Sequence, residues 1–402
     1  MSESIILTTA QDTLIFDAAT GRLVSLRSKA APDQEFVAPG PEHPVFVIGY
    51  LDADRQYRLL GSTEAEEVAV EVTQDGGRRA VTMSFRRLAG QDLAVTCTVD
   101  VAADDPCSHW GIRLDNRAGL EIVDVQYPFI VCPYDLGGAQ GSEAILLPYW
   151  NGRLIRADDP ETHLSRKLTP DSWRAWEFAS HNGDLDHYPG SQFAQFLAYY
   201  NDRCGLYLAC HDTAGNVKRF RALHRDPGVR MGVSHVGDWP TDGSRTLEYD
   251  TVLRSFTGDW YDAAGMYRDW TLQQKWAVPL SQRQDVPDWL LDSPVYITIR
   301  PQGVLDDGPV FPIQEFLPYP DKCIPLLQQV SDRVGAPVVA VLMGWERAAS
   351  WVYPDCFPPV GGDEGATELA RQARARGWHI GSFCNGSRWV TGHLWNGYDG
   401  RD

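Results

Sequence analysis

The chain has 402 residues with an ordinary globular composition, 43% hydrophobic and 22% charged. Its formal net charge of −18 argues against nucleic acid as a partner, because a phosphate backbone is bound by Lys and Arg. The same charge argues against an anionic membrane surface. The length predicts two or three domains.

Residues 1–255 are predicted to form strands without a long helix between them. The strongest local signal is EEVAVEVTQDGGRRAVTMSFRRL, in which alternating Val residues flank a DGG turn. DTLIFDAATGRLVSLRS predicts another hairpin, and alternating segments such as LAVTCTVDVA, EIVDVQYPFIV and GLYLACHD follow. We therefore predict a large antiparallel β-sandwich over residues 1–255.

Residues 256–292 are predicted to form a linker helix and a connector. One apolar helical stripe is predicted within GDWYDAAGMYRDWTLQQKW, formed by Trp260, Ala263, Ala264, Tyr267 and Trp270. A segment punctuated by Pro, VPLSQRQDVPDWLLDSP, closes this connector.

Strands and helices alternate over residues 293–402. The predicted strands are SPVYITIR, PVVAVLMG and WHIGSFCNG, and the predicted helices are CIPLLQQVSDRVG and GATELARQARARG. This alternation predicts a parallel sheet, most simply the first part of a (β/α)8 TIM barrel. Because such a barrel takes about 250 residues, we expect this one to be incomplete. A missing C-terminal portion or another chain, including a homo-oligomer partner, would complete it.

The loops that follow these predicted strands are long and rich in aromatic and acidic residues, whereas the opposite loops, GAP and GW, are minimal. In a TIM barrel the active site lies on the loops that follow the strands. Rings combined with carboxylates, Asn and Arg suit a sugar, whose C–H faces stack on rings. The sequence therefore predicts carbohydrate binding at this edge.

Glu346 and Asp355 are the candidate catalytic carboxylates, because glycoside hydrolysis needs two of them. The alternative is that both only orient the loop or substrate hydroxyls. The candidate substrate-binding residues are Arg300, Trp345, Trp351, Tyr353, Asn385 and Trp389, with Trp150 and Tyr188 from the sandwich half. Packing under the loops is the alternative for Trp345, Trp351 and Trp389, and a loop-anchoring salt bridge is the alternative for Arg300.

No cofactor and no metal site are predicted. The eight Cys residues lie far apart without a CxxC pair, and the D-x-D spacing of HNGDLDH lacks the rest of a calcium loop. The N-terminal segment has no signal-peptide pattern, and the dispersed Cys residues suit reduced thiols. We therefore expect a cytoplasmic location.

Three segments carry a family resemblance: FTGDWYDAAGMYRDW, GWERAASWVYPDCFPPVGG and GWHIGSFCNGSRW. They resemble the bacterial family called domain of unknown function 6259. Most of the chain, roughly from the first hairpin to the end, is similar to glycoside hydrolases of the endo-α-N-acetylgalactosaminidase and α-galactosidase-like group. Those enzymes join a galactose-mutarotase-like β-supersandwich to a (β/α)8 barrel. The resemblance implies a carbohydrate-active hydrolase that acts on an oligosaccharide or glycoside.

In the related enzymes the nucleophile is an Asp at the end of the fourth barrel strand, and the acid lies on a later strand. The sequence ends before a fourth strand. The resemblance therefore implies that the catalytic pair lies beyond residue 402. It also implies that Glu346 and Asp355 bind or orient the substrate.

Two other functions stay open at this point. One is a non-catalytic carbohydrate-binding or assembly protein whose partial barrel docks a partner. The other is an epimerase or lyase on the sandwich, which needs a His and a carboxylate together. HNGDLDH is the one weak candidate in the sequence for such a pair.

Overall fold

The computed structural model describes residues 3–39, 43–149, 151–156, 187–225, 228–301, 319–346, 356–384, 392–393 and 398–399. The chain divides into two compact units, Met1–Ala277 and Val278–Asp402. This division lies inside the predicted connector, 256–292. Among the described residues, no helix is both long and apolar enough to cross a membrane.

The described residues of the first unit form three antiparallel sheets. A small sheet has the strand order β1-β2-β3, formed by β1 (Ser4–Thr8), β2 (Asp12–Asp17) and β3 (Leu23–Ser28). A second sheet is formed by β4 (Val47–Leu51), β5 (Tyr57–Gly61), β10 (Glu121–Pro133), β15 (Lys218–Arg225) and β16 (Gly228–Val236). Its strand order is β15-β16-β10-β4-β5.

The third sheet of this unit is the largest. It is formed by β6 (Ala65–Asp75), β7 (Arg78–Leu88), β8 (Leu93–Ala102), β9 (Ser108–Asn116), β11 (Ala144–Leu147), β12 (Arg153–Arg156), β13 (Phe196–Tyr200), β14 (Gly205–Cys210), β17 (Gly243–Thr246) and β18 (Thr251–Phe256). Its strand order is β12-β11-β13-β14-β18-β9-β8-β7-β6, and β17 pairs with β9. A short 3₁₀ turn, Ser62–Glu64, precedes β6.

Alternating burial explains why these segments pack as a sandwich. From Leu93 to Val101 of β8 every second residue is buried, so that one face lies in the core. One buried apolar cluster takes Leu14 from the small sheet, Tyr127 from the five-stranded sheet and Val95 from the largest. The predicted antiparallel sandwich is therefore confirmed.

The helix α1 (Trp260–Thr271) lies on the largest sheet. Asp259 caps its first turn by accepting a 2.8 Å hydrogen bond from the backbone N–H of Tyr261. The Tyr267 ring stacks on Phe196 with 5.0 Å between ring centroids. The predicted apolar stripe is wrong at its start, because Trp260 is 45% exposed. Ala263, one turn later, is completely buried, so the buried stripe of α1 begins there.

The second unit contains a parallel sheet covered by helices. Its elements are a 3₁₀ turn (Leu280–Gln282), α2 (Asp288–Leu291), β19 (Val295–Ile299), a π-helical turn (Tyr319–Cys323), α3 (Ile324–Val334), β20 (Val338–Leu342), α4 (Gly362–Arg374), β21 (His379–Ser382), β22 (Gly392–His393) and β23 (Tyr398–Asp399). The strands β19, β20 and β21 are adjacent in chain order and parallel, whereas β22 and β23 form an antiparallel pair.

Apolar side chains hold the helices of this unit against the parallel sheet. Ala340 and Leu342 of β20 share one buried cluster with Leu327 of α3 and Leu369 of α4. The αL residue Gly335 (φ 71°) ends α3, as the sequence predicts. The predicted class, multidomain β and α/β, is confirmed. That the three parallel strands begin a (β/α)8 barrel stays a prediction.

Candidate functional site

The carboxyl ends of the three parallel strands lie side by side. Ile299 pairs with Leu342, and Leu342 pairs with Ser382. The pairing extends one step further, because the N–H of Met343 donates to the Ile299 carbonyl and the N–H of Phe383 donates to the Leu342 carbonyl, both at 2.9 Å. The residues that follow each strand therefore emerge from one edge of the sheet.

The connections at the two edges of this sheet differ in length. At the carboxyl edge, residues 300–318 follow β19 and residues 343–361 follow β20. At the opposite edge, residues 335–337 suffice between α3 and β20, and residues 375–378 suffice between α4 and β21. Long connections at the carboxyl edge of a parallel sheet are where α/β proteins place their sites.

Of the two candidate catalytic carboxylates, Glu346 is the one that lies among the described residues of this edge. Its side chain is completely buried, four residues after the end of β20. A completely buried carboxyl group does not reach the glycosidic bond of a substrate at the surface. The burial therefore favours the alternative in which Glu346 orients the loop. The second candidate, Asp355, lies outside the described residues, as do Trp351 and Tyr353.

Trp345 is also buried, with 6% of its surface exposed. Its indole Nε1 donates a 2.8 Å hydrogen bond to the Phe383 carbonyl. Its ring lies 5.3 Å from the Phe357 ring between centroids, at 57°. This geometry favours packing over the stacking on a sugar for which Trp345 is a sequence candidate.

Arg300 is half-buried directly after the last residue of β19, where the sequence predicts it. The other candidates of this unit, Asn385 and Trp389, lie outside the described residues. Two exposed rings that the sequence interpretation did not single out lie at the same edge. Phe357 is 68% exposed and Phe383 is 40% exposed. Both Phe residues lie in or next to the predicted loops, which could have marked them as candidates. A Phe that binds a ligand is, however, hard to distinguish in a sequence from a Phe of the core.

Of the Cys residues near this edge, Cys323 and Cys356 are buried and Cys384 is exposed. Cys323 and Cys356 belong to the buried cluster of the second unit. Burial raises the pKa of the Cys323 thiol to about 11, so that the thiol stays protonated at neutral pH. Within the described ranges, no three His, Cys, Asp or Glu side chains are grouped to hold a metal ion.

In the first unit, the candidate Tyr188 contacts a buried lysine. Tyr188 forms an antiparallel bridge with Lys218, and the Lys218 Nζ lies 5.0 Å from the centre of the Tyr188 ring and 4.6 Å from that of Tyr249. Lys218 Nζ donates to Asp212 at 2.6 Å and to Gln195 at 2.9 Å. The ring of Tyr188 thus packs on a closed ion pair. The remaining sandwich candidate, Trp150, lies outside the described residues.

The described histidines bear on the epimerase or lyase alternative. His235 is buried between the hydroxyl of Tyr249 and the carbonyl of Tyr127, both at 2.6 Å, and burial lowers its pKa to about 3. His109 has a carboxylate at each ring nitrogen, Asp105 at 2.9 Å and Asp250 at 3.2 Å. With both nitrogens engaged, His109 is not placed to take a proton from a substrate. The sequence interpretation missed this group, because Asp250 lies 141 residues from His109 in the chain.

Comparison with known proteins agrees with the sequence motifs. Residues 245–399 match the family model described as a domain of unknown function, DUF6259. The predicted resemblance to that family is confirmed. The DUF6259 match begins in β17 and includes α1 and the whole parallel sheet. It therefore contains the Arg300 and Glu346 positions.

A curated relative and an enzyme of known structure are both longer than this chain. The putative glycoside hydrolase 22789 of Monosiga brevicollis is 27% identical over an alignment of 205 residues, and the match covers 46% of this chain and 16% of the relative. An alpha-N-acetylgalactosaminidase from Bifidobacterium bifidum, solved in a GalNAc complex, matches with a TM-score of 0.66 at 16% identity. That match covers 94% of this chain and 58% of the enzyme. The same enzyme in its Gal-NHAc-DNJ complex matches with a TM-score of 0.66 at 17% identity, over the same shares of the two chains. At these identities the structural likeness shows the fold.

Proposed function

We propose that the protein is a glycoside hydrolase that cleaves O-glycosidic bonds. The observation that carries this proposal is the carboxyl edge of the parallel sheet. Arg300 and the Trp345–Glu346 pair follow neighbouring strands there, at the edge where Phe357 and Phe383 expose their rings and where the long connections begin. Arg300 fits sugar hydroxyls and the two exposed rings fit apolar sugar faces, while the buried Trp345 and Glu346 support them from below the surface.

In this proposal the parallel sheet is the first part of a (β/α)8 barrel whose strands meet at one mouth. The residues of this chain bind and orient the sugar, and Glu346 acts from its buried position by holding the mouth in shape. The acid and the nucleophile or base are a carboxylate pair on later barrel strands, as the resemblance implies. The separation of that pair decides between retention and inversion of the anomeric centre.

The comparisons support an N-acetylated galactoside as the first substrate to test. The Bifidobacterium bifidum relative is an alpha-N-acetylgalactosaminidase solved with GalNAc. The Monosiga brevicollis relative is described as a putative glycoside hydrolase. A neutral sugar also suits a chain with a net charge of −18, which would repel an anionic one.

The test is hydrolysis of a panel of p-nitrophenyl glycosides by the intact protein, expressed from its complete reading frame. The panel holds the α-GalNAc, β-GalNAc and α-Gal glycosides. Glu346→Gln should lower kcat/KM by at least about tenfold, because it replaces a buried carboxyl group by an amide at the edge of the sheet. Glu368→Gln is the matched control, since Glu368 pairs with Arg371 on the exposed side of α4. It should stay within about twofold, as exposed ion pairs contribute little.

Circular dichroism and thermal unfolding of both variants separate a lost site from a lost fold. Glu346→Gln with the activity of Glu368→Gln would contradict a role for this edge. Sugar binding by the wild type with no hydrolysis of any glycoside would instead favour the carbohydrate-binding protein.

A further inference from the structure

Trp345 connects three separate segments at the carboxyl edge of the parallel sheet. Its own position follows β20. Its indole Nε1 donates to the Phe383 carbonyl at the end of β21, at 2.8 Å. Its carbonyl accepts a 2.8 Å hydrogen bond from the N–H of Val360, just before α4 begins. The chain therefore meets Trp345 again at Val360, after the connection over residues 346–359.

Phe383 is held from both sides of its backbone. Its N–H donates to the Leu342 carbonyl at 2.9 Å, as in the parallel ladder. Its carbonyl, which no longer faces a β20 N–H, accepts from the Trp345 indole instead. The side-chain hydrogen bond thus replaces the ladder beyond the point where the strands end, and it fixes the direction in which the chain leaves β21.

The surroundings of Trp345 make this contact rigid. Only 6% of the Trp345 surface is exposed, and its side chain shares the core cluster with Leu342 and Cys356. The Phe357 ring covers it at 5.3 Å. A buried hydrogen bond of this kind contributes on the order of a tenfold change in an equilibrium constant.

We propose that Trp345 is a positioning residue for the sugar site, an inference that rests on the proposed hydrolase function. It fixes the spacing between the segments after β20 and β21, and with it the buried Glu346 next to it in the chain. The indole N–H acts through the Phe383 carbonyl and touches no reacting atom. Its loss would misplace the groups that the two segments carry, which costs rate more than binding.

The test compares two Trp residues of the same core in the intact protein. Trp345→Phe keeps an aromatic ring and removes the N–H donor. Trp378→Phe is the matched control, because Trp378 is also buried, at 5% exposure, and its indole makes no hydrogen bond to the described residues. The readout is kcat and KM for p-nitrophenyl α-GalNAc, or for whichever glycoside of the panel the wild type hydrolyses.

We expect Trp345→Phe to lower kcat about tenfold with KM changed less than about threefold, and Trp378→Phe to keep both within about twofold. If Trp345→Phe fails to fold, Trp345→benzothienylalanine keeps the bicyclic shape, replaces only the N–H by sulfur, and should give the same kcat loss. Equal kinetics for the variants at the two positions would overturn the inference while leaving the hydrolase proposal intact. A wild-type protein that hydrolyses no glycoside would overturn both.

Discussion

Lys218 Nζ lies 2.6 Å from Oδ2 of Asp212, and the two side chains are 0% and 1% exposed. The ammonium group also donates to the side chain of Gln195 at 2.9 Å and to the carbonyl of Asn216 at 2.7 Å, so that its three protons are used. Two Tyr rings flank it. A buried ion pair of this kind depends on all of its partners, because removal of one partner leaves the other charge buried without compensation.

Replacement of the buried cation should be strongly destabilising. Lys218→Met leaves the Asp212 carboxylate buried without its partner, which we expect to lower the free energy of unfolding by about 3–5 kcal/mol. Arg117→Met is the control, because Arg117 is half exposed beside Asp242, itself 79% exposed, and the change should cost less than about 1 kcal/mol. Urea unfolding followed by Trp fluorescence measures both. Equal losses would show that the buried pair contributes no more than a surface pair.

The same pair predicts a dependence on acid. Burial alone would raise the pKa of Asp212, but the hydrogen bond and charge of Lys218 outweigh it, and the pKa lies below its usual value of 3.8. A depressed pKa gives stability that is complete above pH 3.8 and is lost as the pH falls through the folded-state value. The stability difference between wild type and Asp212→Asn should therefore shrink as the pH falls from 5 to 3. A difference that stays constant over this range would contradict the assignment.

His109 predicts a dependence of the opposite sign. The hydrogen bond that protonated His109 donates to Asp250, with the one that it donates to Asp105, raises the pKa of His109 above its usual value of 6.5 against the effect of burial. A raised His pKa gives stability that is complete below pH 6.5 and is lost as the pH rises through the folded-state value. The stability of the wild type relative to His109→Gln should therefore fall between pH 6 and pH 9, as urea unfolding at the two pH values measures.

His211 is the control for that experiment. Burial, with the nearby charge of His109, lowers the pKa of His211 to about 4, so that it is neutral at both pH values. His211→Gln removes its ring from Trp270, on which it stacks at 4.9 Å. Its cost should be the same at pH 6 and pH 9. An equally pH-dependent cost for both variants would mean that His109 is not the titrating group.

Two glycines at α1 should respond in opposite directions to alanine. Gly265 lies within the helix and a Cβ there would meet no atom within 4 Å, so Gly265→Ala should stabilise the protein by about 0.5–1 kcal/mol. Gly258 has φ +112°, and a Cβ there would lie 2.0 Å from Oδ2 of Asp262, so Gly258→Ala should destabilise by about 1–3 kcal/mol. Thermal unfolding distinguishes the two, and a gain in Tm for Gly258→Ala would contradict the geometry.

Local patterns predicted the elements of the fold where one face is buried and the turn is short. The segment LAVTCTVDVA coincides with β8 because its apolar residues alternate with the pleat. The DGG turn joins β6 and β7 through Gly76 and Gly77, whose φ values of 52° and 90° are those that glycine adopts readily. The predicted burial of Trp260 is wrong because helical periodicity indicates which side of a helix is apolar. It does not indicate which residues along that side the rest of the protein covers.

The candidate site was less accessible to sequence reasoning. The order of strands and loops located the edge that holds Arg300 and Glu346, since chain order fixes which strand ends are neighbours in a parallel sheet. The role of Trp345 depends on Phe383, 38 residues away, and no local pattern contains such a pair. The ion pair beneath Tyr188 is a similar case, because only the bridge to Lys218 brings the ring onto it.

The central claim is that the protein hydrolyses a glycosidic bond. Its most direct test is the release of p-nitrophenolate from p-nitrophenyl α-GalNAc by the intact wild-type protein, with GalNAc identified as the second product. We expect saturable release that falls by at least about tenfold in Glu346→Gln. No release from this substrate or from the other glycosides of the panel, by a folded protein that still binds GalNAc, would contradict the claim and favour a carbohydrate-binding protein.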